Sequence, residues 1–232
     1  MLHLAHKGIV ALQGLLDQTK GGSLSVEACR RFQTIRQVYR QQEHMYIYPG
    51  HKISGRIVSL AKPYVRPIVR GKENKPVEFG MKVHMNQVGG INIIEYASFT
   101  NFNESTRLII SILKSEIRFG KCTHIAADRI YPTNKNRSFC TGQKITTNFD
   151  KKGPKKKDKA AKLIKGILNK ARSSFMEGSF GNEKNHYLLG KIKAKSQATE
   201  MIWMFFGVHT ANAVRIAKTV PKAESPPIKQ IA

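Results

Sequence analysis

Acidic side chains are scarce in this sequence. Its 232 residues include 15 Asp and Glu, of which only four are Asp, against 40 Lys and Arg, and the formal net charge is +25. A surplus of this size exceeds what solubility requires and makes a compact chain repel itself, so it indicates a polyanionic partner. Nucleic acid is the first candidate and an anionic membrane surface is the second. Charge alone does not separate an enzyme from a structural binder such as a ribosomal protein.

Cysteines and long apolar runs are also few. The three cysteines, Cys29, Cys122 and Cys140, show no CxxC or Cys/His ligand spacing, which predicts free thiols in a reducing cytoplasm. No signal peptide is evident at the N-terminus. The most apolar stretch, MIWMFFGV from Met201, is too short to span a bilayer, and it predicts the buried face of a terminal helix with Trp203 in the core.

The first half of the chain combines helices with an extended basic stretch. Periodic apolar residues predict helices over 1–20 and 23–48, separated by a Gly-Gly pair. Three prolines keep 51–78 out of a continuous helix, although RIVSL at 56–60 contains a candidate strand. Alternating residues around Gly89-Gly90 predict a hairpin over 77–99.

The second half alternates short strands with helices. A helix is predicted from Asn103 or Ser105 to Gly120, followed by a strand, THIAA, that ends at Asp128. The remaining predicted elements are a helical piece at 135–140, a strand at KITTNF, a lysine run at 151–159, helices from Asp158, over 176–189 and over 196–218, and a disordered tail at 221–232. This order predicts an α/β fold with a mixed sheet.

Two carboxylates occupy positions that suit chemistry. Asp128 is predicted at the carboxyl end of a strand, where α/β proteins collect their catalytic groups. On this stretch alone, a salt bridge to Arg129 or to another of the 40 Lys and Arg is the simpler explanation. Glu177 lies on a later helical segment, and Lys184, seven residues further on, projects from nearly the same side if the helix continues through Gly178 and Gly181. Two such carboxylates together can hold a divalent metal ion.

Three segments resemble the DDE transposases of bacterial insertion sequences. They are VRPIVRGKENKPVEFGMK, ADRIYPTNKNRSFC and EGSFGNEKNHYLL, and they stand in the order that this family shows. The family's second motif, an aspartate with a tyrosine three residues later, is met by Asp128 and Tyr131. Its third, a glutamate with a lysine seven residues later, is met by Glu177 and Lys184. The likeness covers residues 24–218.

The resemblance implies an RNase H-like mixed sheet flanked by helices and a metal-dependent attack on DNA phosphodiesters. By this resemblance Asp128 and Glu177 are catalytic residues and ligands of Mg²⁺ or Mn²⁺. The residues expected to contact DNA are Lys184, Arg129 and the lysines of GPKKKDK, namely Lys155, Lys156 and Lys157. A lysine run of this kind is, however, more often a solvated loop. The implied partners are the element ends and target DNA, the chain is a possible homodimer, no membrane is involved, and the location is the bacterial cytoplasm.

The family's first carboxylate has no counterpart here, because the only aspartate before Asp128 is Asp17, at a predicted helix end. We therefore expect an N-terminally truncated chain that lacks the first central strand and binds metal weakly. Either RIVSL fills the gap or the sheet is split. The family carries an arginine four residues before the glutamate. This chain has Ser173 at that position, and its arginine, Arg172, lies one residue earlier.

The sequence thus predicts three parts: a helical segment over 1–50, an incomplete RNase H-like transposase domain over 51–220, and a tail over 221–232. The leading hypothesis is a transposase remnant that binds DNA and is inactive in cleavage and strand transfer. The alternative is a non-catalytic DNA-binding protein such as a transposition repressor. A ribosomal or other RNA-binding protein is a third reading, which rests on charge alone.

Overall fold

A computed structural model describes residues 1–18, 25–69, 77–150, 153 and 158–219. The chain divides into two units, one formed by residues 1–82 and 98–102 and the other by residues 83–97 and the chain from 103 onward. The predicted tail over 221–232 and the lysines at 155–157 lie outside the described residues.

The first unit contains the two predicted N-terminal helices, α1 (Leu2–Gln18) and α2 (Val26–Ile47). Ser25 caps α2 by accepting a hydrogen bond from the backbone N–H of Ala28, as small hydroxyl residues do at helix starts. Arg36 Nη1 donates to Gln13 Oε1 across the helix pair at 3.2 Å. The prediction of two helices in the 1–50 segment is confirmed.

A short antiparallel ribbon completes the first unit. Its strands are β1 (Pro67–Val69) and β2 (Val77–Phe79), with Ile68 opposite Glu78. RIVSL forms no strand, which corrects that part of the prediction. The backbone N–H of Ile57 instead donates to Gln41 Oε1 of α2 at 2.9 Å. This hydrogen bond replaces the one that a neighbouring strand would have to accept in a sheet.

The second unit begins with the predicted hairpin, of which only the end residues Lys82 and Ser98 belong to the first unit. Strands β3 (Lys82–Val88) and β4 (Ile91–Ser98) are joined by Gly89 and Gly90, which both have positive φ, as the tight turn between two strands requires. A 3₁₀ turn over Glu104–Arg107 leads into α3 (Leu108–Phe119), with Asn103 accepting from the Ser105 N–H at its start. Gly120 ends α3 at φ 82°, as predicted.

A parallel β–α–β segment follows, and it packs with α3 around a cluster of buried side chains. Strand β5 (His124–Ile125) pairs in parallel with β6 (Thr146–Thr147), and α4 (Asn134–Gly142) crosses between them. Parallel strands need such a crossover, usually a helix. The buried side chains of this region form one cluster: Leu108, Ile112, Cys140, Ile145 and Phe149.

The C-terminal half is helical. Helix α5 (Lys159–Ala171) begins at the cap Asp158 and runs without a break into a π-helical segment (Arg172–Glu177) and α6 (Gly178–His186). Helix α7 (Gln197–Thr219) ends the described chain. The apolar face of α5 is largely exposed, including Leu163 and Ile167. No helix in the described part of the chain is long and apolar enough to cross a bilayer.

The fold is therefore mixed α/β and mostly helical. Among the described residues the strands pair two by two in three separate ribbons, and no RNase H-like sheet is present. The predicted RNase H-like mixed sheet is therefore not observed in this part of the chain, and RIVSL fills no gap between strands. The three cysteines are free thiols, as predicted.

Candidate functional site

Asp128 lies in an exposed turn and not at the end of a strand. Strand β5 ends at Ile125, three residues earlier than predicted. The Asp128 side chain accepts a hydrogen bond from the backbone N–H of Arg129 at 2.7 Å, and its carbonyl accepts from the Tyr131 N–H at 3.0 Å. The carboxylate is solvated and serves its own turn, so neither the predicted burial nor a side-chain ion pair with Arg129 is needed to account for it.

Asn148 fixes the chain on which Asp128 lies. Its amide exchanges two hydrogen bonds with the backbone of Ala127, accepting from the N–H at 3.0 Å and donating to the carbonyl at 2.9 Å. The same Nδ2 donates to Asn169 Oδ1 on α5 at 2.9 Å. Asn148 therefore joins the loop after β5, the end of β6 and the helix that leads to Glu177. Asn148 has no signal in the sequence, because its role depends on contacts 21 positions away in both directions.

Tyr131, the tyrosine of the second motif, is directed inward. Its hydroxyl donates to Glu104 Oε2 at 3.3 Å, and its ring centroid lies 5.9 Å from that of His84. Burial raises the pKa of Tyr131, and Glu104 raises it further, so the hydroxyl stays protonated and remains a donor. The aspartate and tyrosine of this motif thus have separate surroundings, one solvated and one packed against the core.

A buried carboxylate lies beside Tyr131. The Glu95 side chain is 2% exposed, and it receives Arg107 Nη2 at 2.6 Å and Lys114 Nζ at 3.0 Å. Burial by itself raises the pKa of Glu95, but the hydrogen bonds from the two cations outweigh it, and the pKa lies below its ordinary value. His84 Nδ1 is 3.3 Å from the same carboxylate, yet burial lowers the pKa of His84 and favours the neutral ring.

Glu177, the glutamate of the third motif, ends the π-helical segment and is exposed. Its Oε1 lies 3.2 Å from Arg172 Nη2, with side chains 61% and 30% exposed respectively. A π-helix brings residues i and i+5 together, where an α-helix brings i and i+4 together. The π register therefore lets an arginine five residues upstream reach Glu177. Ser173, four residues upstream, instead donates to the carbonyls of Asn169 and Lys170.

A polar hub holds the Glu177 helix against the hairpin. Asn92, on β4, is 2% exposed, and its Nδ2 donates to Glu183 Oε1 and Ser179 Oγ of α6. Asn212 of α7 accepts from the Asn92 N–H at 2.9 Å and donates to its carbonyl at 2.7 Å. Burial raises the pKa of Glu183, with the Asn92 hydrogen bond acting in the opposite direction. Sequence reasoning did not find this hub, because its members lie about 90 to 120 positions apart.

The remaining predicted contacts are on the surface where they are described. Lys184 is exposed on α6, and the chain from Glu177 to Lys184 is helical through Gly178 and Gly181, a continuity that the sequence left open. Arg129 is exposed in the Asp128 turn. Lys155, Lys156 and Lys157 lie outside the described residues. The chain has 40 Lys and Arg against 15 Asp and Glu, so most of its cationic side chains have no acidic side chain to pair with.

The donor set does not fit the implied two-metal centre. Within the described ranges no group of three or more His, Cys, Asp or Glu side chains converges to hold an ion. Asp128 is engaged with its own turn and Glu177 with Arg172. A pair of metal ions needs shared ligands that fix their spacing. Comparison with protein-family models, with curated proteins and with solved structures gives no match to this chain.

Proposed function

We propose that this chain is a DNA-binding protein related to the DDE transposases of insertion sequences, and that as it stands it neither cuts nor joins DNA. The relation rests on the order of three motifs, which contain Asp128 with Tyr131 and Glu177 with Lys184. The binding rests on the net charge of +25, since neutralising phosphates releases counterions and drives association with any DNA. An RNase H-like ancestry is part of this proposal.

The observation that carries the loss of catalysis is the local engagement of both motif carboxylates. Asp128 accepts from its neighbour's backbone N–H, and Glu177 is paired with Arg172. In the described chain no third ligand joins them. Mg²⁺ or Mn²⁺ at these two carboxylates would be weakly held, and removing one member of a catalytic unit commonly removes most of its rate enhancement.

Two further features support the relation to transposases. The Asp128 turn follows the first strand of a parallel crossover unit, β5–α4–β6, which is the kind of unit that places catalytic groups in α/β proteins. The π segment restores an Arg–Glu pairing that the spacing of Arg172 and Glu177 would prevent in an α-helix.

The second candidate is a transposition repressor, a protein that occupies element ends without acting on them. The same surplus of charge and the same engaged carboxylates favour it. It differs from a catalytic remnant in requiring preference for element ends over unrelated DNA. Dimer formation, which the family resemblance implies, is likewise a proposal, and sedimentation of the free chain and of its DNA complex would test it.

The experiment is a binding titration of duplex DNA followed by fluorescence anisotropy at several salt concentrations. We expect log K to fall linearly with log salt, by about 0.9 for each phosphate neutralised. Asp128→Asn and Glu177→Gln should leave both the affinity and this slope unchanged. Lys184→Gln should weaken binding to all duplexes equally and reduce the slope by about one.

Lys144→Gln is the matched control for Lys184→Gln, since both lysines are exposed and belong to the same unit. Absence of salt-sensitive binding by the wild-type chain would overturn the proposal. Loss of binding in Asp128→Asn or Glu177→Gln would also contradict it, because a role for these carboxylates in holding DNA requires a metal bridge.

A further inference from the structure

Helix α7 borders an open groove on the surface of the second unit. The groove has a volume of about 800 Å³ and is bounded on one side by α7 and on the other by the segment that follows α6. Its walls include the rings of Tyr187, Trp203 and Phe206 and the side chain of Ile202. The volume falls within the range of about 300–1,000 Å³ that is typical of ligand sites.

The apolar side chains of the groove are not part of the core. Phe206 is 63% exposed and Ile202 is 54% exposed, whereas Met204 and Val208, on the opposite face of α7, are 6% and 0% exposed. Trp203 is half-buried, so the expectation that it belongs to the core is only partly met. Exposed aromatic groups that cluster in a concave surface indicate a binding site.

The rim of the groove is basic. Lys193, Lys195 and His186 belong to its lining, all three are exposed, and none of the described lining residues is Asp or Glu. An aromatic floor beside a cationic rim matches a ligand that has flat π-faces and phosphates. A second copy of this chain is a poor match, because it would bring its own charge of +25 to the same rim.

We propose that this groove binds an unpaired strand of DNA, with a base stacked against Trp203 and Phe206 and the adjoining phosphates on Lys193 and Lys195. The inference rests on the proposed DNA binding and adds to it a site and a class of ligand. Bases in a duplex have their faces stacked on their neighbours, so the groove takes unpaired strands only. Stacking is tolerant of sequence, since every base has a π-face.

Trp203 is the only tryptophan in the chain, so its fluorescence reports on the groove directly. The probe is oligothymidylate of about 12 nucleotides, within the usual range of single-strand site sizes. The intact chain should show saturable quenching of tryptophan emission with this probe. An abasic oligonucleotide with the same number of phosphates should bind more weakly and quench little, because it offers charge without a base to stack.

The decisive variant is Phe206→Ala, and its matched control is Phe205→Ala. Both phenylalanines are at least half exposed and adjacent on α7, but only Phe206 lines the groove. Phe206→Ala should weaken oligothymidylate binding roughly 5- to 150-fold, the loss expected for one stacked base, and leave duplex affinity unchanged. Phe205→Ala removes only the ring that packs edge-to-face against Phe206, so it should weaken oligothymidylate binding much less than Phe206→Ala does and leave duplex affinity unchanged.

The rim is tested in the same way with Lys193→Gln and Lys195→Gln, each of which should reduce the salt slope for oligothymidylate by about 0.7, the value for one phosphate of a single strand. Lys191→Gln is the control, since Lys191 is exposed nearby and does not line the groove.

The outcomes separate this inference from the proposed function. Binding of duplex and oligothymidylate without quenching, or with equal affinity for Phe206→Ala, would overturn the groove and leave DNA binding intact. Failure to bind either DNA would overturn both. A Phe206→Ala variant that changes only the oligomeric state in sedimentation would show that a second copy occupies the groove, which also contradicts the inference.

Discussion

Arg172 Nη2 lies 3.2 Å from Glu177 Oε1, across one turn of a π-helix that ends α5 and leads into α6. The pair bridges five residues, a spacing that an α-helix would not bring together. Single π turns are frequent at functional sites, and this one lies where the sequence resembles a transposase glutamate motif. The geometry gives the arginine a role that its position in the sequence alone does not suggest.

A double-mutant cycle of Arg172→Ala and Glu177→Gln should give a small coupling energy. Both side chains are partly exposed, so solvent screens the pair, and we expect about 0.2–1 kcal/mol from urea unfolding. Adding Ser173→Arg to Arg172→Ala should not restore the coupling, because the π register turns position 173 away from Glu177. Restoration by Ser173→Arg would show that the segment is α-helical in solution.

Asn92→Ala should be among the most destabilising single changes in the second unit. The substitution leaves the buried Glu183 carboxylate without its donor and removes the partner of Ser179. We expect a loss of roughly 2–3 kcal/mol in the free energy of unfolding, measured by urea denaturation. Asn185→Ala, an exposed asparagine on α6, is the control and should lie within about 0.5 kcal/mol of wild type. Equal effects of the two changes would contradict the hub.

Glu183→Gln should change how stability depends on pH. Burial raises the pKa of Glu183, so the folded state binds a proton more tightly than the unfolded state. The contribution of this group is therefore most favourable below its unfolded pKa and is lost as the pH rises through the raised folded pKa. A glutamine keeps the hydrogen bond from Asn92 and does not ionise.

The variant should thus gain stability relative to wild type as the pH rises from about 4 to 7. The measurement is the difference in unfolding free energy between the two proteins across this range. A difference that stays constant with pH would show that Glu183 is solvated in the folded chain.

Glu95→Gln should destabilise the fold and make it less sensitive to acid. The carboxylate holds Arg107 and Lys114, and its pKa is lowered by these cations, so its contribution is present above the unfolded pKa and is lost as the pH falls. We expect a cost of roughly 2–3 kcal/mol at neutral pH, since Arg107 is left half-buried without its anion.

Lys114→Gln is the comparison for Glu95→Gln. The Lys114 side chain is 55% exposed, so solvent screens its ion pair with Glu95, and Glu95 keeps Arg107 as a partner when Lys114 is replaced. It should cost less than about 1 kcal/mol. The unfolding free energies of the wild type and the two variants, measured by urea denaturation with circular dichroism at a series of pH values, should converge as the pH falls and Glu95 becomes protonated. Curves that stay parallel down to low pH would contradict this account.

Local signals in the sequence predict most helices and the hairpin. Asn103 and Gly120 bound α3 as their chemistry requires, and Gly89-Gly90 form the turn between β3 and β4. These features depend on a few adjacent residues, so a pattern in the chain is sufficient to find them.

Long-range pairing is what the sequence does not predict. Strands β5 and β6 contain only two residues each. Asp128 therefore lies in a turn, although the apolar run before it predicts a longer strand. The Asn92–Glu183 hub joins residues 91 positions apart, and Asn148 holds Asn169 of α5 from 21 positions away. Tertiary contacts decide each of these pairings. Among the residues that the structure describes, no group of three or more His, Cys, Asp or Glu side chains forms a metal site at the motif carboxylates.

The measurement that tests the central claim most directly is a nicking assay. Supercoiled plasmid is incubated with the chain in Mg²⁺ and, separately, in Mn²⁺, beside the Asp128→Asn and Glu177→Gln variants. The account predicts that all three proteins shift the plasmid by binding and that none converts it to nicked or linear form faster than buffer does. Metal-dependent nicking by the wild-type chain that either variant abolishes would show an active site, and would contradict the account.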